Sequence, residues 1–398
     1  MENARTERTF ALSPGVVPTI VARTPTGAIH MYGEERDDVA VSVTVEPADA
    51  VGREVEVVVE QTGETIRAEV RGIRGETPSN WLRGNMHARI AIEVRTPLRS
   101  IIEADGASAS LHIERLDGTV RGRTASGDIH IDHLTNGVTI TTASGDVRAH
   151  ALSGAVQVQT ASGDITLERG SGDLTIHTAS GDTTLTQITG RLDVSAASGD
   201  CSVRSSALTA CHAKTASGDL VVATPLAPEG DYDFSTVSGD LTLLVPGETR
   251  ATVSLKTVSG DLSCALPASS DGGKRNRTLQ INGGGVAVRV KSVSGDCTIR
   301  AASEHLPPMP TGASLATRTD LRSPTRPPAA LSLASPNAPL ADAAQETDFT
   351  ETLAVLQAVE RGELTIDEAM EKLASLEGDA HAAPLPSEQG SGATGGGA

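Results

Sequence analysis

The tripeptide Ser-Gly-Asp occurs ten times between residues 107 and 300, and this recurrence restricts the fold more than any other feature of the chain. Asp128, Asp146, Asp164, Asp182 and Asp200 follow one another at intervals of 18 residues, and Asp219, Asp240, Asp261 and Asp296 continue the series at longer steps. An extra copy, Ser171-Gly172-Asp173, divides one interval into two halves of nine. A fixed period of this length marks a stacked repeat, in which each unit buries its apolar side only against its neighbours.

The residues between the tripeptides set the direction of the side chains. The first position after each Asp holds Ile129, Val147, Ile165, Thr183, Cys201 and Leu220, and the third holds Ile131, Ala149, Leu167, Leu185, Val203 and Val222. Ten and twelve residues after the Asp come Val138 and Ile140, Val156 and Val158, Leu174 and Ile176, then Leu192 and Val194, with polar residues between. Alternation with period two predicts two short strands per repeat, each with one inward face. Rungs stacked about 4.8 Å apart would bury those faces as a continuous strip. The predicted class is all-β: a β-solenoid of roughly 18-residue rungs, or a closely related strand-repeat sheet.

The tripeptide itself is a corner device. Glycine supplies a backbone angle that other residues avoid, and Ser and Asp side chains bond nearby backbone N–H groups. A weaker second corner is marked by Asn136-Gly137, Ser153-Gly154 and Thr189-Gly190. Four residues before the Asp runs a column of threonines, Thr124, Thr142, Thr160, Thr178, Thr215, Thr236 and Thr257, which alternation turns inward. Their hydroxyls are expected to bond to one another or to the backbone.

A thin interior of this kind suits small aliphatic side chains, and aromatic residues make up only 2% of the 398. The net charge of −18 disfavours nucleic acid and anionic membrane as partners, since both require a basic surface. No apolar run has the length of a signal peptide or a membrane span, so the expectation is a cytoplasmic chain without membrane insertion, with the cell surface as the alternative. Cys201, Cys264 and Cys297 fall in inward columns and no Cys-x-x-Cys occurs, so these thiols and Cys211 are expected to be reduced and buried.

Along the chain, residues 1–86 read as a β-rich lead-in or cap with strands near Thr19–Ala22, Ala28–Tyr32, Val39–Val45, Val55–Glu60 and Ile66–Val70. The lone Trp81 is expected to cover an open end. Residues 87–300 form the repeat domain, with rungs in register from Leu111 and Ile113. The longer steps after Asp219 place extra residues at Thr224–Gly230, Val245–Glu248 and Pro267–Asn276, expected as corner loops along one edge. Residues 301–345, rich in Pro, Ala and Ser, read as a disordered linker. Residues 346–377 read as a small helical hairpin, its second helix opened by the capping box Thr365-Ile366-Asp367-Glu368, and residues 378–398 as a flexible tail. So short a hairpin buries little core, which suggests docking, a partner or self-association.

The repeated Thr-Ala-Ser-Gly-Asp with its alternating aliphatics, preceded by an entry strand such as Thr26-Gly27-Ala28-Ile29-His30-Met31, resembles the adhesin-like β-strand-repeat proteins of bacteria, a domain family of unknown function. The hairpin, through Gly362, Leu364, Thr365 and Glu368, is similar to the short hairpins that accompany such domains. The resemblance covers residues 10 to 300 and implies a bacterial protein with a scaffolding or binding role, in some relatives linked to the cell envelope.

Catalytic signatures are absent: the chain holds no His-Glu-x-x-His, Gly-x-Ser-x-Gly, complete phosphate loop or EF-hand run. A catalytic site is one constellation, whereas Ser-Gly-Asp is spread along the whole axis, so the nine corner aspartates are read as structural and no cofactor is expected. A cation ladder on those aspartates would match the calcium rolls only in period, since their Gly-Gly-x-Gly-x-Asp is missing. Column counting sets His112 and His130 side by side on the outward face, with Glu114, Asp132 and His150 in the adjacent column, a patch able to bind zinc or nickel if the side chains converge. The expected function is non-enzymatic: a scaffold presenting a polar face and stacked loops to a protein or polymer partner. The alternatives are an exported, calcium-stabilised adhesin and a polysaccharide-active β-helix enzyme.

Overall fold

The computed structural model describes residues 3–72, 88–273, 276–303 and 306–307. All of them fall in one compact unit, Met1–Ala330. Trp81, nearly all of the 301–345 linker, the hairpin at 346–377 and the tail lie outside the described residues. Within them the secondary structure is β apart from one short turn of 3-10 helix, Ala48–Ala50. Among the described residues no helix is long and apolar enough to cross a membrane.

The 18-residue period is a parallel stacking register. Val138 lies beside Val156, and Val156 beside Leu174 beside Leu192; on the other strand of each rung Ile129 lies beside Val147, Ile165, Thr183 and Cys201 in turn. The first and third positions after each Asp are buried as the alternation requires, except Leu262 and Cys264 at the end of the stack, and they join one continuous apolar core from Ile20 to Ile299. Each fully buried Val, Leu or Ile contributes about 1.5–3 kcal/mol, which a single rung could realise only on one side.

The corners stack as tightly as the strands. Each Asp Oδ1 accepts a hydrogen bond from the backbone N–H of the Asp on the following rung: Asp128 from Asp146 at 3.2 Å, Asp146 from Asp164 at 3.1 Å, Asp164 from Asp182 and Asp182 from Asp200 at 2.9 Å. The ladder continues from Asp200 to Asp219 at 2.8 Å and from Asp219 to Asp240 at 2.9 Å. Glycine between Ser and Asp is demanded twice. Gly181 has φ +116°, and a Cβ there would stand 2.3 Å from the carbonyl oxygen of Gly163 on the rung below.

The threonine column is buried, but among the described residues only the Thr124 hydroxyl bonds to a neighbouring rung. Thr178 and Thr215 donate to the carbonyls of Ser180 and Ser217 at their own corners, at 3.1 and 3.3 Å, and Thr124 donates to Ala109 at 3.1 Å. The hydroxyls of Thr142, Thr160 and Thr257 have no partner among the described residues. The threonines thus serve the stack mainly as β-branched filling.

Both ends of the stack depart from chain order. The rung after the one that carries Asp240 is formed by Val286–Ser294 and Cys297–Ala301, and Ala251–Ser259 with Leu262–Cys264 lies beyond it. The aspartate ladder follows this order: Asp240 Oδ1 accepts from Asp296, and Asp296 Oδ1 accepts from Asp261, each at 2.8 Å. The insertion expected as a corner loop at Pro267–Asn276 is therefore largely sheet. Ala268–Gly272 and Asn276–Ile281 form an antiparallel hairpin laid against Ala251–Ser259.

The N-terminal end mirrors this arrangement. Thr19–Glu34 lies parallel against Ile101–Leu116, and Thr65–Gly72 with Arg89–Pro97 stacks outside it. The lead-in expected over 1–86 thus contributes a full rung to the stack. Antiparallel strands then cover the end: Val55–Thr62 on one side, Asp38–Glu46 and Ala4–Ala11 on the other. The outermost of these, Ala4–Ala11, carries Arg5, Glu7 and Arg8, which discourages pairing with another chain.

Candidate functional site

The outward positions of the rungs form straight columns, because each strand lies in register on the next. One column runs His30, His112, His130, Arg148, and the column beside it runs Tyr32, Glu114, Asp132, His150, Glu168. The five residues singled out in the sequence, His112, Glu114, His130, Asp132 and His150, therefore do share one face.

They do not converge on one point. The His30 and His112 rings stack at 4.7 Å between centroids and 9° between planes, and His112 meets His130 at 5.9 Å and 39°. This half of the patch is an imidazole stack. Burial, and then the neighbouring charges of His30 and His130, hold the His112 imidazole below its ordinary value, so it favours the neutral form.

The second half is a compact cluster with a member the periodicity did not reveal. Asp132 Oδ1 stands 2.7 Å from His150 Nδ1 on the next rung and 2.9 Å from Nδ1 of its own chain neighbour His133. The His133 and His150 rings meet edge to face at 5.4 Å. Burial acts to raise the Asp132 carboxyl, but the hydrogen bonds from His133 and His150 outweigh it and hold the group below the usual carboxylate value.

His133 takes part because of its backbone. It has φ 54°, and the same left-handed conformation recurs every 18 residues at Arg115, His133, Ala151, Arg169, Gln187 and Ser205. This bend, three residues before Gly154, Gly172 and Gly190 on their rungs, uses a conformation that glycine would normally supply, yet none of the six is glycine, so composition left no trace of it. His30 did leave a signal. Ile29-His30-Met31 has the same apolar-His-apolar form as Leu111-His112-Ile113 and Ile129-His130-Ile131.

A separate polar network lies on the other strand of the rungs. His212 sits 2.9 Å from Asp231 and 3.8 Å from Asp193, Arg289 pairs with Asp231 and, at 3.1 Å, with Asp233, and Lys291 stands 3.7 Å from Asp233. Hydrogen bonds from His212 lead the causes that hold the Asp231 carboxyl low. Arg289 belongs to the strand that enters the stack out of chain order, and its two aspartates lie at the neighbouring strand, so the network ties the displaced rung in place.

The cysteines behave as the columns predicted, with one exception. Cys201, Cys211 and Cys297 are buried free thiols, and burial pushes Cys201 and Cys297 up to about 12. Cys264 is only partly buried, because its strand Leu262–Cys264 lies at the end of the stack, with Cys297–Ala301 as its sole strand partner among the described residues.

Comparison with known proteins places this architecture. No curated protein matches the chain. Among solved structures, similarity extends to a candidate cell-adhesion protein from Clostridium sporogenes, at 10% identity and a TM-score of 0.21, over 75% of this chain and 100% of that one. It extends also to a candidate lipid-binding protein from Parabacteroides distasonis, at 11% identity and a TM-score of 0.31, and to a candidate adhesin from Bacteroides fragilis, at 12% and 0.28; each match covers 75% of this chain and 97% of the other. The sequence profile of the Toastrack DUF4097 family matches residues 102–187 and 153–300, together half of the chain and the whole run of Ser-Gly-Asp corners. With every Ser-Gly-Asp corner lying within that span, the chain belongs to the Toastrack DUF4097 family.

Proposed function

We propose that the chain is a non-enzymatic binding scaffold that offers a flat polar face to a protein or polymer partner. The observation that supports this reading is a row of outward side chains in unbroken register: Arg148, Thr166, Thr184, Ser202, Val221, Thr242 and Thr298. Their spacing, about 4.8 Å per rung, is fixed by backbone pairing and not by the side chains themselves. Short hydroxyl side chains on such a frame lose little entropy on binding, and an extended partner with a similar repeat could engage several at once.

The test is capture by the full-length chain on a glycan array and by cross-linking in lysate of the source organism. Wild type is compared with Thr166→Lys/Thr184→Lys/Ser202→Lys and with a control on the other strand of the rungs, Gln157→Lys/Thr175→Lys. The reading expects a ligand or partner that the first variant loses and the control retains. Equal retention by both variants, or equal loss, would overturn it.

A further inference from the structure

We propose that Asp132, His133 and His150 form a binding site for a divalent transition-metal ion of the zinc, nickel and copper class. One ligand atom from each of the three residues lies within 4.8 Å of the others. The two imidazole nitrogens already point at the same carboxylate oxygen, at 2.9 Å and 2.7 Å. An ion held about 2.0–2.1 Å from each atom needs them roughly 3.3 Å apart, so each carboxylate–imidazole distance has to open by only about half an ångström while the two imidazole nitrogens settle at the same spacing. Rotation of the His133 ring, whose side chain is 57% exposed, provides that freedom.

The frame beneath the three side chains is set before any ion arrives. Asp132 and His133 lie on one rung and His150 on the next, and the rungs are joined by parallel pairing of Val147–Leu152 with Ile129–Leu134. The left-handed backbone at His133 is what returns its ring toward Asp132 and does not let it continue the strand alternation. A site on rigid strands holds ligand geometry better than one on a free loop.

Charge and donor type select the class of ion. Glu114 lies beside Asp132 on one side, and Glu168 lies beside His150 on the other, so the column is net acidic around the cluster. Two imidazole nitrogens and one carboxylate oxygen suit zinc, nickel or copper, whereas calcium requires six or more oxygen ligands. Three protein ligands leave a position for water, the pattern of an open site. The stacked rings of His30, His112 and His130 lie in the adjoining column and supply no ligand.

The test is titration of untagged full-length protein with zinc chloride by calorimetry, alongside the visible absorption of the cobalt(II) form. Wild type is expected to bind one equivalent with a cobalt band. His133→Gly, which suits the left-handed backbone, and His150→Gln should each weaken zinc at least about tenfold and remove the band. His130→Gln and His212→Gln should bind as wild type does. The absence of a saturable one-equivalent heat would overturn the proposal. So would loss of binding in His130→Gln with retention in His133→Gly, or binding of calcium with equal strength.

Discussion

Replacing Gly181 with alanine tests the corner most sharply, because two separate costs can be read from its geometry. At φ +116° an L-residue stands outside its ordinary wells, which costs about 1–3 kcal/mol. The added Cβ would lie 2.3 Å from the Gly163 carbonyl oxygen and 2.8 Å from its carbon, both backbone atoms held by the rung below. Relieving that overlap requires the corner to shift, a further cost of about 1–3 kcal/mol for an overpacked site. Reduced freedom of the unfolded chain returns about 0.4–1 kcal/mol. The net expectation is a loss of about 3 kcal/mol. Urea unfolding followed by circular dichroism measures it, with Gly247→Ala as the control, since a Cβ at Gly247 meets nothing within 4 Å. That control should be neutral or gain up to about 1 kcal/mol. A Gly181→Ala midpoint indistinguishable from the control would refute the stacked-corner account.

Other outcomes follow from the same geometry. Asp240→Ala removes the acceptor for the Asp296 backbone N–H and should cost about 0.5–1.5 kcal/mol, whereas Asp261, last in the ladder, accepts no such bond among the described residues and Asp261→Ala should stay within about 0.5 kcal/mol of wild type; an equal cost for both variants in urea melts would place the rungs in chain order. Because His112 and His177 are both held below their ordinary 6.5, chiefly by burial, the unfolded chain takes up protons first as pH falls. Their contribution is fully present above that value and declines as pH drops through it, so the melting temperature should fall between about pH 7.5 and pH 5, less so in His112→Gln; an identical slope in that variant would contradict the assignment. In the native protein a thiol reagent should modify Cys264 and spare Cys201, Cys211 and Cys297 until urea is added, and rapid labelling of more than one thiol without urea would contradict the burial.

Much of this fold could be read from spacing because the period acts on every residue of a rung at once. Ile129, Val147 and Ile165 are buried side by side as their 18-residue spacing required, and Phe234, Leu255 and Val290 share one inward column. Spacing does not disclose which rung follows which. Any two strands with the same alternation can pair in parallel, so the 35 residues from Asp261 to Asp296 fit a long corner as well as a hairpin and a return. The alternation in Asn276–Ile281, with Leu279 and Ile281 buried, was the one mark of a strand inside that insertion. At the site, register found the column of Asp132 and His150, while His133 stayed hidden because its role arises from a backbone angle and not from a place in the alternation. The edge strand Ala4–Ala11 was missed for a related reason, since charged residues that protect an edge erase the pattern that identifies strands.

Spin-label distances from Arg148 along one outward column measure the stack directly, in a Cys264→Ser background. By pairing, Thr298 lies six rungs from Arg148 and Ser263 seven, although Ser263 is the nearer in sequence. At about 4.8 Å per rung, labels at 148 and 298 should sit about 29 Å apart and labels at 148 and 263 about 34 Å apart. Distances that fail to grow by one rung spacing per repeat, or a 263 label closer than the 298 label, would contradict the stacked and reordered rungs.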